Sequence, residues 1–127
     1  MDKGGASTLE AIRRCEKHVG RAEALSKHRY DMPVAIEHCI QAMKEMEAMD
    51  TREETEYCLL SRTVDVIGSL LEMEKEIGKP ILPENQASEL LRALVKAGKK
   101  DDGCVHIIRD YISIIKKMYK FSQKKKL

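Results

Sequence analysis

Apolar residues recur every three or four positions along most of this chain, which is the spacing of one buried face of an α-helix. The first stripe follows Ser7 and Glu10, which have the spacing of a capping box, and it consists of Leu9, Ile12, Cys15, Val19, Ala22 and Leu25. The glycine-rich residues 1–6 carry no such pattern. We therefore predict a first helix over residues 8–27 and a disordered N-terminus at residues 1–6.

Four more helices are predicted from the same spacing and from residues that begin or end a helix. Asp31 can cap the exposed amides of the second helix and Pro33 fits its first turn, whereas Gly78 and Pro80 end the third. The predicted ranges are 33–49, 52–77, 84–97 and 103–121. Apolar residues cover a wide face of the third and fifth helices, so we expect the bundle to pack about these two.

The predicted fold class is all-α, a compact bundle or orthogonal array of about five helices. No segment alternates apolar and polar residues in the way of a half-buried strand. Short connections between the helices favour antiparallel neighbours. A chain of 127 residues has the usual length of one domain, which we place at residues 7–121, followed by a basic tail at residues 122–127.

The composition is typical of an intracellular protein of the nucleus or the cytoplasm. Hydrophobic residues make up 43% and charged residues 35%, enough for both an apolar core and a solvated surface. No apolar run approaches the roughly 18 residues of a membrane span, and no apolar leader follows Met1, so we expect no membrane partner. The four cysteines lack paired spacing, which favours reduced thiols at Cys15, Cys39, Cys58 and Cys104.

Recognised catalytic arrangements are missing from the sequence, so we predict that the protein is not an enzyme and has no cofactor. There is no glycine-rich phosphate loop, no Gly-x-Ser-x-Gly and no His-Glu-x-x-His. Cys15 and His18 lie one helical turn apart and could chelate zinc if other segments supplied ligands, the candidates being His38, Cys39, Cys104 and His106. Cys104 and His106 point to different sides of a helix, and no Cys-x-x-Cys pair occurs. We therefore predict no metal site.

Basic residues are concentrated at the C-terminal end of the chain. Between residues 107 and 127 a single acidic residue, Asp110, stands against seven basic ones: Arg109, Lys116, Lys117, Lys120, Lys124, Lys125 and Lys126. Lysines near a helix end stabilise its dipole, and a lysine run is typical of a linker or a nuclear-import signal. Direct nucleic-acid binding by these seven residues is the alternative function that we retain, because they could neutralise phosphates.

Two apolar features exceed what a simple core requires. Methionines fall at helical spacing, and we interpret Met43, Met46, Met49 and Met73 as core residues, with an adaptable binding surface as the alternative. The fifth helix has a second apolar row formed by Cys104, Ile107, Tyr111, Ile114 and Met118. With this second row, the apolar face of the helix is wider than a surface helix needs. The row is therefore a candidate for contact with a partner or with a second copy of the chain in a homo-oligomer.

The segment Cys39 to Met49 (CIQAMKEMEAM) resembles the second helix of integrase-binding domains, which belong to the helical bundles related to the N-terminal domain of transcription elongation factor S-II. Leu9 and Ile12, the segment Val66 to Leu71, and the basic helix Val105 to Lys120 occur in a similar order. The resemblance implies a scaffold that captures short disordered segments of transcription or chromatin proteins at one end of the bundle.

Relative to that family, residues 74–101 would be an insertion that contains a whole helix. The stretch Arg29 to Cys39 is also similar to the second helix of a tetratricopeptide-like repeat, without the pattern of its partner helix. Both comparisons imply a protein or peptide partner.

The leading hypothesis is therefore a helical protein–protein interaction module, with a partner site at the interhelical loops. The candidate residues are Tyr30, Asp31, Lys99, Lys100, Asp101 and Asp102. Tyr30 lies where no helical stripe needs an aromatic side chain, and tyrosine is enriched at binding hot spots. Strict up-and-down alternation of the helices would put the two loops at opposite ends, so the hypothesis requires an orthogonal array or a crossover.

Overall fold

The computed structural model describes the backbone of residues 2–48, 54–100 and 104–119, and the side chains of residues 9–48, 58–99 and 104–119. Within these ranges the chain forms five α-helices and a short 3₁₀ helix at Arg29–Asp31, without a strand. The α-helices are α1 (Asp2–Leu25), α2 (Met32–Ala48), α3 (Glu54–Ile77), α4 (Glu84–Lys100) and α5 (Val105–Met118). The all-α prediction is confirmed.

Helix boundaries differ most from the predicted ones at the start of α1 and at the ends of α4 and α5. Helix α1 already begins at Asp2, so residues 2–6 are helical instead of disordered and Ser7 lies inside the helix. Each glycine costs a helix only about 1 kcal/mol relative to alanine, so glycines do not by themselves exclude helix. Helix α4 continues past Gly98 to Lys100, and α5 ends at Met118 because Tyr119 has an extended backbone. The predicted tail at residues 122–127 lies outside the described residues.

Helices α1 and α2 run antiparallel to each other. The Cys15 thiol lies 3.5 Å from the carbonyl oxygen of Ala42, and one turn further along α1 the ring of His18 meets that of His38. Residue numbers therefore rise along α1 as they fall along α2. This pairing is the most extensive between any two of the helices as described.

Helices α2 and α4 run parallel to each other. At their N-terminal ends, Gln86 Nε2 donates to the carbonyl oxygen of Pro33 at 2.6 Å. At their C-terminal ends, Lys96 Nζ lies 3.4 Å from the carboxylate of Glu47. Both helices thus start at one end of the bundle and finish at the other, which is the up-and-down alternation of an antiparallel bundle.

The centre of the bundle is formed by α2 and α3. Helix α2 packs against α1, α3 and α4, and α3 packs against α1, α2 and α5. Helix α5 packs beside α3 and α4, and its residues Ile107 and Ile114 are 47% and 41% exposed. The prediction that the bundle packs about the third and fifth helices is therefore wrong for the fifth, because its second apolar row is only partly covered.

The core is aliphatic and rich in sulfur. Met43 and Met46 are buried, as interpreted from the sequence, whereas Met73 is half-buried; Met32, Cys15 and Cys39 are buried as well. Burial raises the pKa of the Cys39 thiol to about 12, so this cysteine acts as a small hydrophobic side chain. Met49 lies outside the described residues.

A buried polar network joins α3, the α3–α4 connection and the end of α5. The Glu74 carboxylate is fully buried and accepts hydrogen bonds from the Tyr119 hydroxyl and, at 2.9 Å, from the backbone N–H of Ile81. The backbone N–H of Leu82 in turn donates to the Tyr119 oxygen at 3.0 Å. Gly78, with φ of +84°, reverses the chain before this connection. The network therefore closes one end of the bundle.

Gly68 permits a close approach of α5 to α3. A Cβ atom at Gly68 would lie 2.5 Å from the Tyr111 hydroxyl oxygen and 3.4 Å from the Cζ atom of the ring. We expect Gly68→Ala to destabilise the protein by about 1 kcal/mol, because displacing the tyrosine outweighs the higher helix propensity of alanine. In a Tyr111→Phe background the same change should stabilise by up to about 1 kcal/mol. Urea unfolding of the four proteins measures both effects, and the same sign in both backgrounds would contradict this packing.

Candidate functional site

The two loops of the predicted partner site have different environments. Tyr30 is 84% exposed, and the guanidinium of Arg29 lies 5.0 Å from the centre of its ring and donates to its hydroxyl. Asp31 is half-buried at the end of the 3₁₀ helix. Lys99 is exposed in the last turn of α4 and Lys100 ends that helix. Asp101 and Asp102 lie outside the described residues.

The structure does not bring these two loops together. Tyr30 immediately precedes the start of α2, whereas Lys99 lies near the end of α4, which runs parallel to α2. Each of the two helices has 17 residues, a length of about 25 Å. Tyr30 and Lys99 therefore lie at opposite ends of the bundle, so the described parts of the two loops do not form a single site.

A concave surface lies between α2 and α4. We call it the α2–α4 groove; it has a volume of about 400 Å³. Its lining combines apolar side chains from α2, α3 and α4 with charged side chains from α2 and α4: Met43, Met46, Leu60, Ala93, Ala97, Lys44, Glu47, Glu89, Arg92 and Lys96. Pockets of a few hundred cubic ångströms with this mixture are typical of ligand and peptide sites.

Small side chains on α4 create the groove. Leu90 and Leu94 occupy the row of α4 that points into the core and are fully buried. Ala93 and Ala97 occupy the neighbouring row, one turn apart, and offer only methyl groups toward α2. Opposite them, Met43 and Met46 supply flexible, polarizable side chains that can adapt to different shapes. The groove therefore has an apolar and deformable floor.

Two ion pairs span the rim of the groove. Lys44 Nζ lies 3.6 Å from Glu89 Oε2, and Lys96 Nζ lies 3.4 Å from Glu47 Oε2. These side chains are between 40% and 64% exposed, and exposed ion pairs contribute only about 0–1 kcal/mol. A partner can therefore displace them at little cost.

Arg92 differs from the two lysines of the rim. Its Nη1 donates to the Ser88 hydroxyl at 3.2 Å, and within the described part of the chain it has no carboxylate partner. A guanidinium binds carboxylates bidentately and stays charged at any physiological pH. Arg92 is thus placed to recognise an acidic group that enters beside the groove.

The groove was not predicted from the sequence, although two of its residues were singled out. Met43 and Met46 were interpreted as core, which their burial confirms. The alternative, an adaptable binding surface, stays a prediction, although both side chains also line the groove. The signal for Ala93 and Ala97 was an alanine pair with i, i+4 spacing beside a leucine row. Which helix would lie opposite that pair depended on the tertiary packing.

The basic residues proposed to contact nucleic acid are only partly described. Arg109, Lys116 and Lys117 are exposed on α5, with Asp110 among them. Lys120, Lys124, Lys125 and Lys126 lie outside the described residues. Three of the seven basic side chains are thus described, and all three are accessible to solvent.

The candidate metal ligands separate into different surroundings. His18 and His38 come together, with their Nδ1 atoms 2.9 Å apart, whereas Cys39 is buried in the core and Cys104 and His106 belong to the α5 end of the chain. Across the described residues, no three His, Cys, Asp or Glu side chains are grouped in a way that would hold a metal ion. His38 was one of four candidates to join Cys15 and His18 in a metal site, but a direct contact between His18 and His38 was not predicted.

Comparisons with protein-family models, curated proteins and solved structures found no match to this chain. Among the helices of the described residues, none is both long and apolar enough to cross a membrane.

Proposed function

We propose that this protein is a helical protein–protein interaction module whose α2–α4 groove captures a short peptide segment carrying aliphatic side chains and a carboxylate. The observation that carries the proposal is the groove itself, which has a volume of about 400 Å³, an apolar floor and a charged rim. Apolar segments that bind between helices bury a few anchoring side chains in this way.

Charge defines the chemistry of the partner. The rim carries Lys44, Arg92 and Lys96 against Glu47 and Glu89, and the two lysines already pair with the two carboxylates. Arg92 remains for an acidic residue of the partner. We therefore expect aliphatic side chains of the partner to pack on the floor and an aspartate or glutamate of the partner to pair with Arg92. In such an arrangement the charges select the partner and apolar burial provides the affinity.

The resemblance of residues 39–49 to integrase-binding domains supports a partner among short segments of transcription or chromatin proteins, in the nucleus or the cytoplasm. Four residues of that segment line the groove: Met43, Lys44, Met46 and Glu47. The resemblance implied capture at loops that meet at one end of the bundle, whereas our proposal places capture between two helices.

Selection of a displayed library of random peptides about four helical turns long tests the proposal. We expect the selected peptides to combine leucine, isoleucine or valine with an acidic residue. Ala93→Arg should weaken their binding at least tenfold because it fills the groove, and Arg92→Glu should do so by repelling the carboxylate. Ala24→Arg on the exposed face of α1 is the matched control and should leave affinity unchanged. Peptides without these features, or equal effects of Ala93→Arg and Ala24→Arg, would refute the groove as the site.

The alternative function, nucleic-acid binding through Arg109, Lys116, Lys117, Lys120 and the lysines at 124–126, has a different salt dependence. Binding through several phosphate contacts falls by orders of magnitude between low and moderate salt. Capture of a peptide in an apolar groove should change far less. Tight, salt-sensitive binding of an oligonucleotide that Lys116→Glu abolishes would favour the alternative.

A further inference from the structure

Two imidazole rings from different helices meet at a distance that suits a shared ligand. His18 of α1 and His38 of α2 place their Nδ1 atoms 2.9 Å apart, with ring centroids 5.1 Å apart and planes inclined by 34°. Both rings are half-buried, so they are held by the α1–α2 packing while remaining accessible to solvent. One helical turn away, the contact of Cys15 with the carbonyl of Ala42 fixes the same two helices against each other.

We propose that His18 and His38 form a site for one divalent transition-metal ion of the zinc and copper type, which bridges α1 and α2 through the two Nδ1 atoms. Metal–imidazole bonds are about 2.0–2.1 Å long, so two adjacent ligands lie roughly 2.9 to 3.4 Å apart in octahedral or tetrahedral coordination. The observed separation of 2.9 Å falls within this range. Water completes the coordination, because the described residues around the pair supply no third ligand.

Charges near the pair act in both directions. Arg21 disfavours a positive charge on His38 and Glu37 favours one, while Glu37 also accepts a hydrogen bond from Gln41 at 2.9 Å. Burial of His38, assisted by His18 and Arg21, lowers the pKa of its imidazole.

Imidazole nitrogen determines which ions this site accepts. Neutral imidazole binds zinc, copper and nickel, and affinity within this group is highest for copper. Magnesium and calcium require oxygen ligands and should not compete. A direct N–H···N hydrogen bond between two neutral rings would have the same geometry. Titration with metal ions distinguishes this hydrogen bond from a metal site.

The chain contains four histidines, and this provides matched controls. His28 and His106 are exposed and lie apart from the pair, at the α1–α2 connection and on α5. Calorimetric titration of the untagged protein with Zn²⁺ and with Cu²⁺ should give one equivalent of saturable binding. A Cys58→Ser background removes the exposed thiol as a competing ligand. His18→Gln and His38→Gln should each weaken binding at least tenfold, whereas His28→Gln and His106→Gln should leave it unchanged.

Thermal unfolding provides a readout that is independent of heat exchange on binding. Because an ion that binds only the folded state stabilises it, saturating Zn²⁺ should raise the Tm of the parent and of the His28→Gln and His106→Gln variants. The two variants of the pair should show no rise, although they fold. Absence of saturable binding by the parent, or equal binding by all four variants, would overturn the proposal and leave the pair as a hydrogen bond.

Discussion

Tyr119→Phe is expected to lower the free energy of unfolding by roughly 3 kcal/mol, although it removes a single oxygen atom. The oxygen accepts a hydrogen bond from the backbone N–H of Leu82 and donates one to the Glu74 carboxylate. Without it, a buried backbone donor loses its acceptor, and a buried carboxylate keeps only the N–H of Ile81. An unsatisfied buried donor costs about 1–3 kcal/mol, and a hydrogen bond to a charged group contributes about 1.5–3 kcal/mol. The apolar ring stays in place, so little packing is lost.

Urea denaturation of wild type and variant measures this loss. Tyr30→Phe is the control, because it also removes a tyrosine hydroxyl but at a side chain that is 84% exposed. This substitution should change the free energy of unfolding by less than about 0.5 kcal/mol. Adding Glu74→Gln to Tyr119→Phe should recover part of the loss, because burying a neutral amide costs less than burying a carboxylate. If Tyr119→Phe and Tyr30→Phe have equal effects, the buried network does not stabilise the bundle.

The same hydroxyl makes a prediction about pH. Burial and the hydrogen bond to Glu74 raise the pKa of Tyr119 above its ordinary value. The unfolded chain therefore loses this proton at a lower pH than the folded chain does. The stability that Tyr119 contributes is fully present below the usual tyrosine pKa of about 10 and is lost as the pH rises above it. The difference in stability between wild type and Tyr119→Phe should accordingly shrink above about pH 10.

Local sequence signals accounted for most of the helices because they act over one or two turns. The third helix was predicted to stop before Gly78, and it ends at Ile77 with Gly78 in the left-handed region that glycine adopts without strain. Pro33 lies in the first turn of α2, as expected from its missing N–H. The start of α1 was predicted at residue 8 from the capping box at Ser7, whereas the helix already begins at Asp2.

Features that depend on the partner of each helix were not predicted. Glu74 continues the stripe of Ile67 and Leu70 at helical spacing, so a charge at an apolar position was the available signal for the buried network. Its partner Tyr119 is 45 residues away and could not be identified from spacing. The α2–α4 groove depends in the same way on α4 packing beside α2, a choice that side-chain periodicity leaves open.

The orientation of α5 leads to the other large expected effect, a contrast between two adjacent isoleucines. The sequence has two apolar rows on this helix, and their spacing alone does not determine which one faces the core. Ile108 is fully buried, and its Cγ2 atom lies 3.2 Å from where a Cβ of Gly98 would be. Ile107 belongs to the other row and is 47% exposed. The structure therefore assigns the core row to Ile108.

Ile108→Ala should destabilise the protein by about 2–5 kcal/mol, because it removes buried methyl groups and leaves a cavity between α5 and α4. Ile107→Ala should cost less than about 1 kcal/mol, since half of that side chain is already in water. The two changes are the same in chemistry and lie next to each other in one helix, so their gain in helix propensity cancels in the comparison. Thermal or urea unfolding at two protein concentrations measures the difference. Equal losses would mean that Ile107 is also covered, and a loss at Ile107 that grows with concentration would identify a second copy of the chain as the cover.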